Sequence, residues 1–444
     1  MESFALTRTL FSKLRLLPHV RYTTPSTMPA APTPTRVLKC DPGSITFSGD
    51  APIYSDPETE NSIKTAVQLL TERHVVAFPT ETVYGLGALA LDASAAAKIF
   101  STKGRPSDNP LIVHVSSRAM LASLLPPSYA PPRTYETLMR AFWPGPLTLL
   151  FPADPSRVPS IITAGHPTVA VRMPAHPVAR ALIAETGAPL AAPSANASGK
   201  PSPTRAAHVV RDLGCTGRLP LLLDDGAACV VGLESTVVDG LGGDGALRVL
   251  RPGGATVEAL VDALGDDGDG GPRPRVLVHK RDFVLERREE DAPTTPGMKY
   301  RHYAPGVPVT LLYTATTASA TSPPDDDKGG GEGGSVIAAR RVAMDAFFRE
   351  SERGALGRLG LMAQDDSPLL ARARLESARW LTFSLGESAE PARAAQRLFE
   401  GLLGLEEQGV ERIFVQEVAE EREGLAFMNR IKKAAGTTLR IVDV

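Results

Sequence analysis

The chain has 444 residues, of which 43% are hydrophobic and 22% charged, and its formal net charge is −2. These values are ordinary for a globular protein of two or three domains, and they exclude a global basic field that would draw the whole molecule onto nucleic acid. No CxxC pair and no apolar run of about 20 residues is present, which argues against a cysteine zinc site, a disulfide framework and a membrane span.

The first predicted segment, residues 1–55, is an extension that precedes the globular pattern. Arg8, Lys13, Arg15 and Arg21 alternate with leucines, and Glu2 is the sole acid among the first 35 residues. This composition is typical of a mitochondrial transit peptide, and a functionless extension is the alternative that stays open. We expect a cytoplasmic protein. If the basic segment is a targeting signal, the protein has a second, mitochondrial location.

The next predicted unit, residues 56–264, alternates short apolar strands with helical segments. Asn61 is predicted to cap a helix that continues to Leu70. Strands are predicted at residues 75–78, 111–115, 147–151, 169–171, 190–192, 221–223 and 236–238. This alternation predicts an α/β domain.

Two further units follow. Residues 265–306 are predicted to form a Gly/Asp-rich insertion and a linker, because they carry no apolar periodicity. Residues 307–444 again alternate strand-like and helix-like pieces, at 309–313, 336–338, 359–362, 393–405, 413–415 and 424–435. They predict a small α/β domain with the rhythm of a Rossmann fold and without its glycine fingerprint.

The densest polar cluster is residues 78–87 (FPTETVYGLG), followed by residues 103–114 (KGRPSDNPLIVH). A strand end, a glycine turn and a helix start would place Thr80, Thr82 and Tyr84 beside backbone amides. Lys103 and Arg105 offer two cations at a fixed separation, which suits a polyphosphate. A solvated charge pair is the usual alternative for K-x-R, but it does not explain polar side chains packed between two apolar strands.

The second cluster is residues 192–204 (APSANASGKPSPT). Ser194 and Asn196 follow a strand end, where open α/β sheets place ligands, although turn chemistry alone accounts for much of this composition. Arg172, Ser235 and Arg251 lie in three shorter pieces, VAVRMP, GLESTVVD and RVLRPGG, for each of which capping or turn formation is the alternative. GxSxG is absent, so a serine nucleophile is not expected.

Two nucleotide-binding motifs are relevant to a protein of this predicted class. Residues 85–90 (GLGALA) have the form of a dinucleotide fingerprint, but no acid ends a second strand about 20 residues later. A Walker A motif does not occur in the sequence. Neither NAD binding nor a P-loop ATPase is therefore expected.

Taken in order, these motifs resemble the YrdC-type family of threonylcarbamoyl-adenylate synthases, in its longer two-domain form. The resemblance spans residues 63–251, continues through the linker 296–305 (PGMKYRHYAP) and includes the closing segment 426–436 (AFMNRIKKAAG). It implies an α/β fold with a YrdC-like twisted mixed sheet around a concave basic cavity. A small C-terminal Rossmann-like α/β domain is implied as well.

The resemblance also implies roles for single residues. The K-x-R and S-x-N constellation would be catalytic: Lys103, Arg105, Ser194 and Asn196. L-threonine would be held by Thr82, His114, Arg172 and Ser235. ATP would be contacted by Arg105, Asn109, Thr168, Ser194, Ser202, Arg251 and Tyr303. The linker residues similar to those that cover the cleft in the family are Lys299, Arg301, His302 and Tyr303.

The implied reaction is a nucleotidyl transfer. Threonine and bicarbonate give an N-carboxy anion that attacks the α-phosphorus of ATP, pyrophosphate leaves, and threonylcarbamoyl-adenylate is formed. Positioning and positive charge are the main requirements, because two anions must meet. No Asp/Glu metal cage is visible, so Mg²⁺ is expected to arrive with ATP. The product would pass to a tRNA threonylcarbamoyl transferase complex, and direct contact with tRNA stays open.

Two other functions were considered. A carbamoyltransferase or hydrogenase-maturation protein can use a related adenylate on the same domain, but such proteins carry zinc-finger segments with paired cysteines. An RNA-binding module without catalysis is the alternative from another class. Balanced charge and the lack of aromatic stacking platforms argue against it.

Overall fold

The computed structural model describes residues 34–265, 273–279, 281–282, 302–314, 341–436 and 439–444. Residues 34–265 and 273–279 form the first α/β domain, which the family resemblance predicts to be the catalytic domain. Its strands are β1 Arg36–Lys39, β2 Ile45–Ser48, β3 Ala51–Tyr54, β4 Val76–Phe78, β5 Gly85–Leu89, β6 Ile112–His114, β7 Leu147–Pro152, β8 Thr168–Arg172, β9 Leu190–Ala191, β10 Leu221–Asp224, β11 Thr236–Asp239, β12 Leu247–Arg251 and β13 Val276–Val278. Its helices are α1 Pro57–Thr71, α2 Ala93–Lys103, α3 Arg118–Ala122, α4 Arg133–Phe142, α5 Ser160–Thr163, α6 Pro177–Thr186, α7 Ala206–Val209 and α8 Val257–Gly265.

Eleven of these strands form one mixed sheet in the order β1-β10-β4-β5-β9-β6-β8-β7-β11-β12-β13. The sheet contains both parallel pairs, such as β6 with β8, and antiparallel pairs, such as β7 with β8. The middle strands are buried on both faces because helices pack there, which explains their continuous apolar runs. The predicted mixed α/β sheet is thus confirmed.

Four expectations from the sequence were wrong. Residues 276–278 do not belong to an insertion or linker, because they form strand β13, which pairs with β12 in the main sheet. Residues 36–54 do not belong to an N-terminal extension, because β1 pairs with β10 in the main sheet and the β2–β3 hairpin packs on α6. Helix α1 begins at Pro57, and Asp56 caps it by accepting bonds from the amides of Glu58 and Thr59, so Asn61 is not the cap. The glycine-rich residues 85–89 form strand β5 rather than a turn leading to a helix.

The C-terminal domain is a second α/β unit with its own sheet. Its elements are β14 Val309–Thr314, β15 Arg341–Ala343, α9 Met344–Arg353, β16 Leu359–Ala363, α10 Pro368–Leu375, β17 Trp380–Ser384, α11 Pro391–Glu407, β18 Arg412–Gln416, α12 Glu423–Ala435 and β19 Leu439–Asp443. All pairs in the sheet β15-β19-β14-β18-β16-β17 are parallel. This confirms the predicted Rossmann-like rhythm. The predicted strand at 336–338 lies outside the described residues.

The two domains share an apolar core. Val83 and Leu233 of the catalytic domain are buried in the same cluster as Leu398 and Phe399 of α11. Gly232 allows this approach: its φ is +71°, and a Cβ there would lie 2.3 Å from the carbonyl oxygen of Gln396. Within the described ranges, no helix is long and apolar enough to cross a bilayer.

Candidate active site

A cavity with about 530 Å³ of empty space opens where β4, β6, β8, β9 and β12 end. Its wall comes from six separate stretches of the catalytic domain and from the linker. The lining residues are Thr80, Thr82, Val83, Tyr84, Gly85, Arg105, Ile112, His114, Arg172, Ala192, Pro193, Ser194, Glu234, Ser235, Arg251, His302 and Tyr303.

The turn after β4 is held by its own hydroxyls. Thr80 Oγ1 lies 2.8 Å from Thr82 Oγ1 and donates to the carbonyl oxygen of Val83 at 2.6 Å. It also accepts from the amides of Thr82 and Val83, each at 3.2 Å. The threonines of the PTETVYG segment thus form a compact hydroxyl-lined turn, which presents Thr82 to the cavity.

Arg172 ends β8 with its guanidinium buried in the cavity wall. Its Nε donates to the carbonyl oxygen of Gly145 at 3.1 Å, Nη1 to Thr82 Oγ1 at 2.8 Å, and Nη2 to Glu81 Oε1 at 2.6 Å. The other oxygen, Glu81 Oε2, is buried without a hydrogen-bond partner among the described residues. Glu81 is not among the residues predicted from the sequence, although it lies inside the PTETVYG motif.

Lys103 ends α2 and is followed by Gly104, whose left-handed backbone (φ +62°) turns the chain toward the cavity. Its ammonium is buried and donates to the carbonyl oxygens of Ser194 and Asn196 (2.6 Å to the latter) and reaches Asn196 Oδ1 at 3.5 Å. Burial lowers the pKa of Lys103 well below its ordinary value, and Arg105 lowers it further. Lys103 therefore fixes the loop of Ser194 rather than facing the cavity itself.

Arg105 lines the cavity two residues later. Its Nη2 donates to the carbonyl oxygens of Asn109 and Pro110, at 3.2 and 3.0 Å. Its Nε and the Oδ1 of Asn109 are both buried without partners in the described part of the chain. Burial lowers the pKa of Arg105 to about 10, so the side chain stays cationic at neutral pH. A buried cation with an unused donor is suited to an anionic ligand.

Arg251 supplies a third buried guanidinium at the end of β12. It donates to the carbonyl oxygen of Ser235 from Nε (3.2 Å) and Nη2 (2.8 Å), and Nη2 lies 3.3 Å from Ser235 Oγ. Ser235 Oγ in turn lies 2.7 Å from Thr148 Oγ1. Burial lowers the pKa of Arg251. The ESTVVD and RVLRPGG motifs are thereby brought together on one wall.

Glu234 is a buried carboxylate in this cationic cavity, and its position there was not predicted from the sequence. It accepts a short hydrogen bond from Ser202 Oγ and a charged one from Arg430 Nε at 3.1 Å. Burial opposes ionisation, yet Arg430 and Arg251 together hold the pKa of Glu234 below its usual range. The motif GLESTVVD contains an acid next to residues expected to bind anions. This acid was the feature of the sequence that could have indicated a role for Glu234.

The linker reaches the cavity through His302, which is half-buried, and Tyr303, which is fully buried. The ring of Tyr303 packs against Phe399 of α11, with 5.4 Å between ring centroids, and against His302 at 4.4 Å. Tyr303 has a φ of +67°, which is unusual for a residue other than glycine and is maintained here by the surrounding packing. Burial raises the pKa of Tyr303.

Burial lowers the pKa of His114 and of His302 to about 3, against an ordinary value of 6.5. Both rings are therefore neutral at working pH. In the unfolded chain each ring takes up a proton near pH 6.5, so the stability that depends on the neutral rings is complete above this pH and is lost as pH falls toward 3.

We expect His114→Gln to reduce the acid sensitivity of the fold. Each buried neutral histidine should cost up to about 1.4 kcal/mol of unfolding free energy per pH unit below 6.5. Urea unfolding at pH 7 and pH 5 measures this slope in wild type and variant. An equal slope in both proteins would contradict the buried, neutral state of His114.

The structure brings most predicted site residues together. Eight line the cavity: Thr82, Arg105, His114, Arg172, Ser194, Ser235, Arg251 and Tyr303. Four contact those eight or their neighbours from behind: Lys103, Asn109, Asn196 and Ser202. Thr168 lies apart, because it begins the strand that Arg172 ends, about 13 Å away along the chain. Lys299 and Arg301 lie outside the described residues.

The carboxylates near the cavity do not form a metal cage. Glu81 is paired with Arg172 and Glu234 with Arg430. In the described ranges, no group of three or more His, Cys, Asp or Glu side chains is placed to hold a metal ion. The donor set of the cavity therefore suits an anion, or a metal ion that brings its own oxygen ligands.

A twisted mixed sheet whose loops enclose a cavity with three buried arginines, joined to a Rossmann-like domain, defines a two-domain protein of the YrdC class. The Sua5/YciO/YrdC family model, described as telomere recombination, matches residues 68–253. The model of the threonylcarbamoyl-AMP synthase C-terminal domain matches residues 255–436. The chain belongs to the Sua5/YrdC family in its two-domain form.

Relatives of similar length agree with this assignment. The chain is 39% identical to a threonylcarbamoyl-AMP synthase of Bacillus subtilis over 86% of this chain and 94% of the relative. It is 38% identical to one of Schizosaccharomyces pombe, over 85% and 89% of the two chains. The structure is similar to Pyrococcus abyssi Sua5 complexed with L-threonine, with a TM-score of 0.69 and 34% identity, covering 92% of this chain and all of that one.

Proposed function

We propose that the protein is a threonylcarbamoyl-AMP synthase, which joins L-threonine, bicarbonate and ATP and releases pyrophosphate by nucleotidyl transfer. Its product supplies the threonylcarbamoyl group of a modified adenosine in tRNA. The observation that carries the proposal is the convergence of Arg105, Arg172 and Arg251 on one buried cavity. Relatives that match most of the chain and carry this name support it.

The cavity offers separate binding places for two anions, the carboxylate of L-threonine and the phosphates of ATP. Arg172, with Thr82 at 2.8 Å, forms a place for the carboxylate of L-threonine, provided that this carboxylate shares or replaces the bond to Glu81. Arg105 and Arg251 lie on other walls, where their charge suits the phosphates of ATP. The carbamate formed on the threonine amine then attacks the α-phosphorus, and pyrophosphate leaves. Positioning and fixed positive charge are the main contributions of the protein.

Mg²⁺ is proposed to enter with ATP, since both nearby carboxylates, Glu81 and Glu234, are already paired with arginines. When bound, it would share the phosphate charge. The linker residues His302 and Tyr303, which line the cavity, would keep water away from the labile adenylate. A tRNA threonylcarbamoyl transferase complex is the proposed recipient of the product.

The proposal is tested by the product itself. The full chain is incubated with L-threonine, isotopically labelled bicarbonate, ATP and Mg²⁺, and the mixture is analysed by mass spectrometry. We expect an adenylate that contains one threonine and one labelled carbon, together with pyrophosphate whose release needs threonine. Pyrophosphate release that is independent of threonine, or a product without labelled carbon, would reject the function.

Arg172→Ala should raise the threonine KM strongly and leave ATP binding almost unchanged. A charge-assisted contact to a carboxylate contributes about 1.5–3 kcal/mol, which corresponds to roughly 10-fold to 150-fold in affinity. Calorimetry with each substrate measures the effect. Arg118→Ala is the control, because this exposed arginine pairs with Glu136 outside the cavity. Equal losses of threonine and ATP affinity would disprove the assignment.

A further inference from the structure

One side chain of the C-terminal domain, Arg430, contacts the wall of the catalytic cavity from behind. This residue lies on α12 and is completely buried. Its Nε donates to Glu234 Oε2 at 3.1 Å, and its Nη1 donates to the carbonyl oxygen of Pro252. Pro252 directly follows Arg251, so both contacts fall on the wall that carries the third arginine of the cavity.

The contact of Arg430 with Glu234 affects the charge of the cavity. The carboxylate of Glu234 lines a cavity whose other charged groups are cations, and there it would repel a polyphosphate. Two charges a few ångströms apart interact strongly when water is excluded. Ser202 donates a hydrogen bond to Glu234, and Arg251 and Arg430 are the arginines that stabilise its charge. The positive charge on Arg430 balances the carboxylate from outside the cavity.

We propose that Arg430 is a positioning residue, by which the C-terminal domain makes the cavity able to accept a polyanionic nucleotide. It neutralises Glu234 and holds that carboxylate beside Ser202 and away from the phosphates. This inference depends on the proposed function, because it takes ATP as the ligand. It gives the C-terminal domain a part in nucleotide binding in addition to packing.

Simple attachment of the domains does not require this ion pair. Val83, Leu233 and Phe399 already form a common apolar core, and Gly232 lets α11 approach closely. A buried ion pair contributes little net stability compared with apolar residues of similar size. The positive charge of Arg430 is better explained by the negative charge of the ligand. Ligands that differ in charge therefore test the inference.

The experiment uses the full chain and three variants: Arg430→Met, Glu234→Gln and the double substitution. Affinities for ATP, AMP and adenosine are measured by calorimetry at a temperature at which each protein is folded. In Arg430→Met we expect ATP binding to weaken about 30-fold or more, since a buried charge has lost its partner. AMP should weaken less and adenosine hardly at all. The double variant should bind ATP within about threefold of wild type.

Two results would overturn the inference: equal weakening of all three ligands in Arg430→Met, or no recovery of ATP binding in the double variant. If Arg430→Met does not fold, the affinity of Glu234→Gln for ATP tests the inference by itself. It should bind ATP at least as tightly as wild type, and weaker binding would overturn the inference. A wild-type protein that binds no ATP would instead reject the proposed function.

Discussion

Lys103→Met is expected to lower the rate of adenylate synthesis at least about a hundredfold, because catalytic geometry is sensitive to shifts of about 1 Å. The ammonium of Lys103 is bound to the carbonyl oxygens of Ser194 and Asn196 and does not line the cavity. Methionine fills the same space but donates no hydrogen bond. The loop that presents Ser194 would therefore lose its support.

The same variant should be less stable than wild type. This loss of stability distinguishes a lysine that holds the Ser194 loop from one that only supplies charge to a ligand. Two buried carbonyl groups would lose their donor, at a cost of about 2–5 kcal/mol of unfolding free energy. A lysine that only supplied charge to a bound phosphate would affect the rate without this loss. Urea unfolding and steady-state kinetics on one preparation measure both quantities.

Lys98→Met is the matched control, because Lys98 lies on the same helix but outside the cavity. We expect this substitution to change neither rate nor stability by more than about 0.5 kcal/mol. If Lys103→Met were as active and as stable as the Lys98 variant, the loop-holding role would be refuted.

The sequence predicted those parts of the site that follow strand ends. Apolar runs located β6, β8 and β9 to within one or two residues, and the polar residues that follow or end them, such as Arg172 and Ser194, meet at the cavity. This succeeded because strand ends at one edge of a sheet gather in space. Local periodicity is sufficient for such a prediction.

Pairings between distant parts of the chain could not be predicted in this way. Strand β1 pairs with β10, some 185 residues later, and Arg430 pairs with Glu234, which is 196 residues away. Neither pairing leaves a local pattern. Gly87 was misread for a different reason: a Cβ there would lie 2.6 Å from the ring of Phe78, so the glycine makes room for a side chain instead of forming a turn.

Tyr303→Ala is expected to separate pyrophosphate release from accumulation of the adenylate. The ring of Tyr303 is buried between the cavity and Phe399, and the guanidinium of Arg430 lies 5.7 Å from its centroid. Loss of the ring would open the cavity toward the domain contact and admit water, which hydrolyses a mixed anhydride. Pyrophosphate should then exceed intact adenylate severalfold, whereas Tyr303→Phe keeps the ring and should keep the two products about equal.

Quantifying both products by chromatography in the same reaction tests this shielding. A buried aromatic residue replaced by alanine costs about 3–5 kcal/mol of stability, so the assay is run well below the melting temperature of the variant. A uniform loss of activity with equal amounts of the two products would mean that Tyr303 only supports the fold. Severalfold excess pyrophosphate in Tyr303→Ala, absent in Tyr303→Phe, would identify the ring as the shield of the adenylate, because both variants lack the hydroxyl and only one lacks the ring.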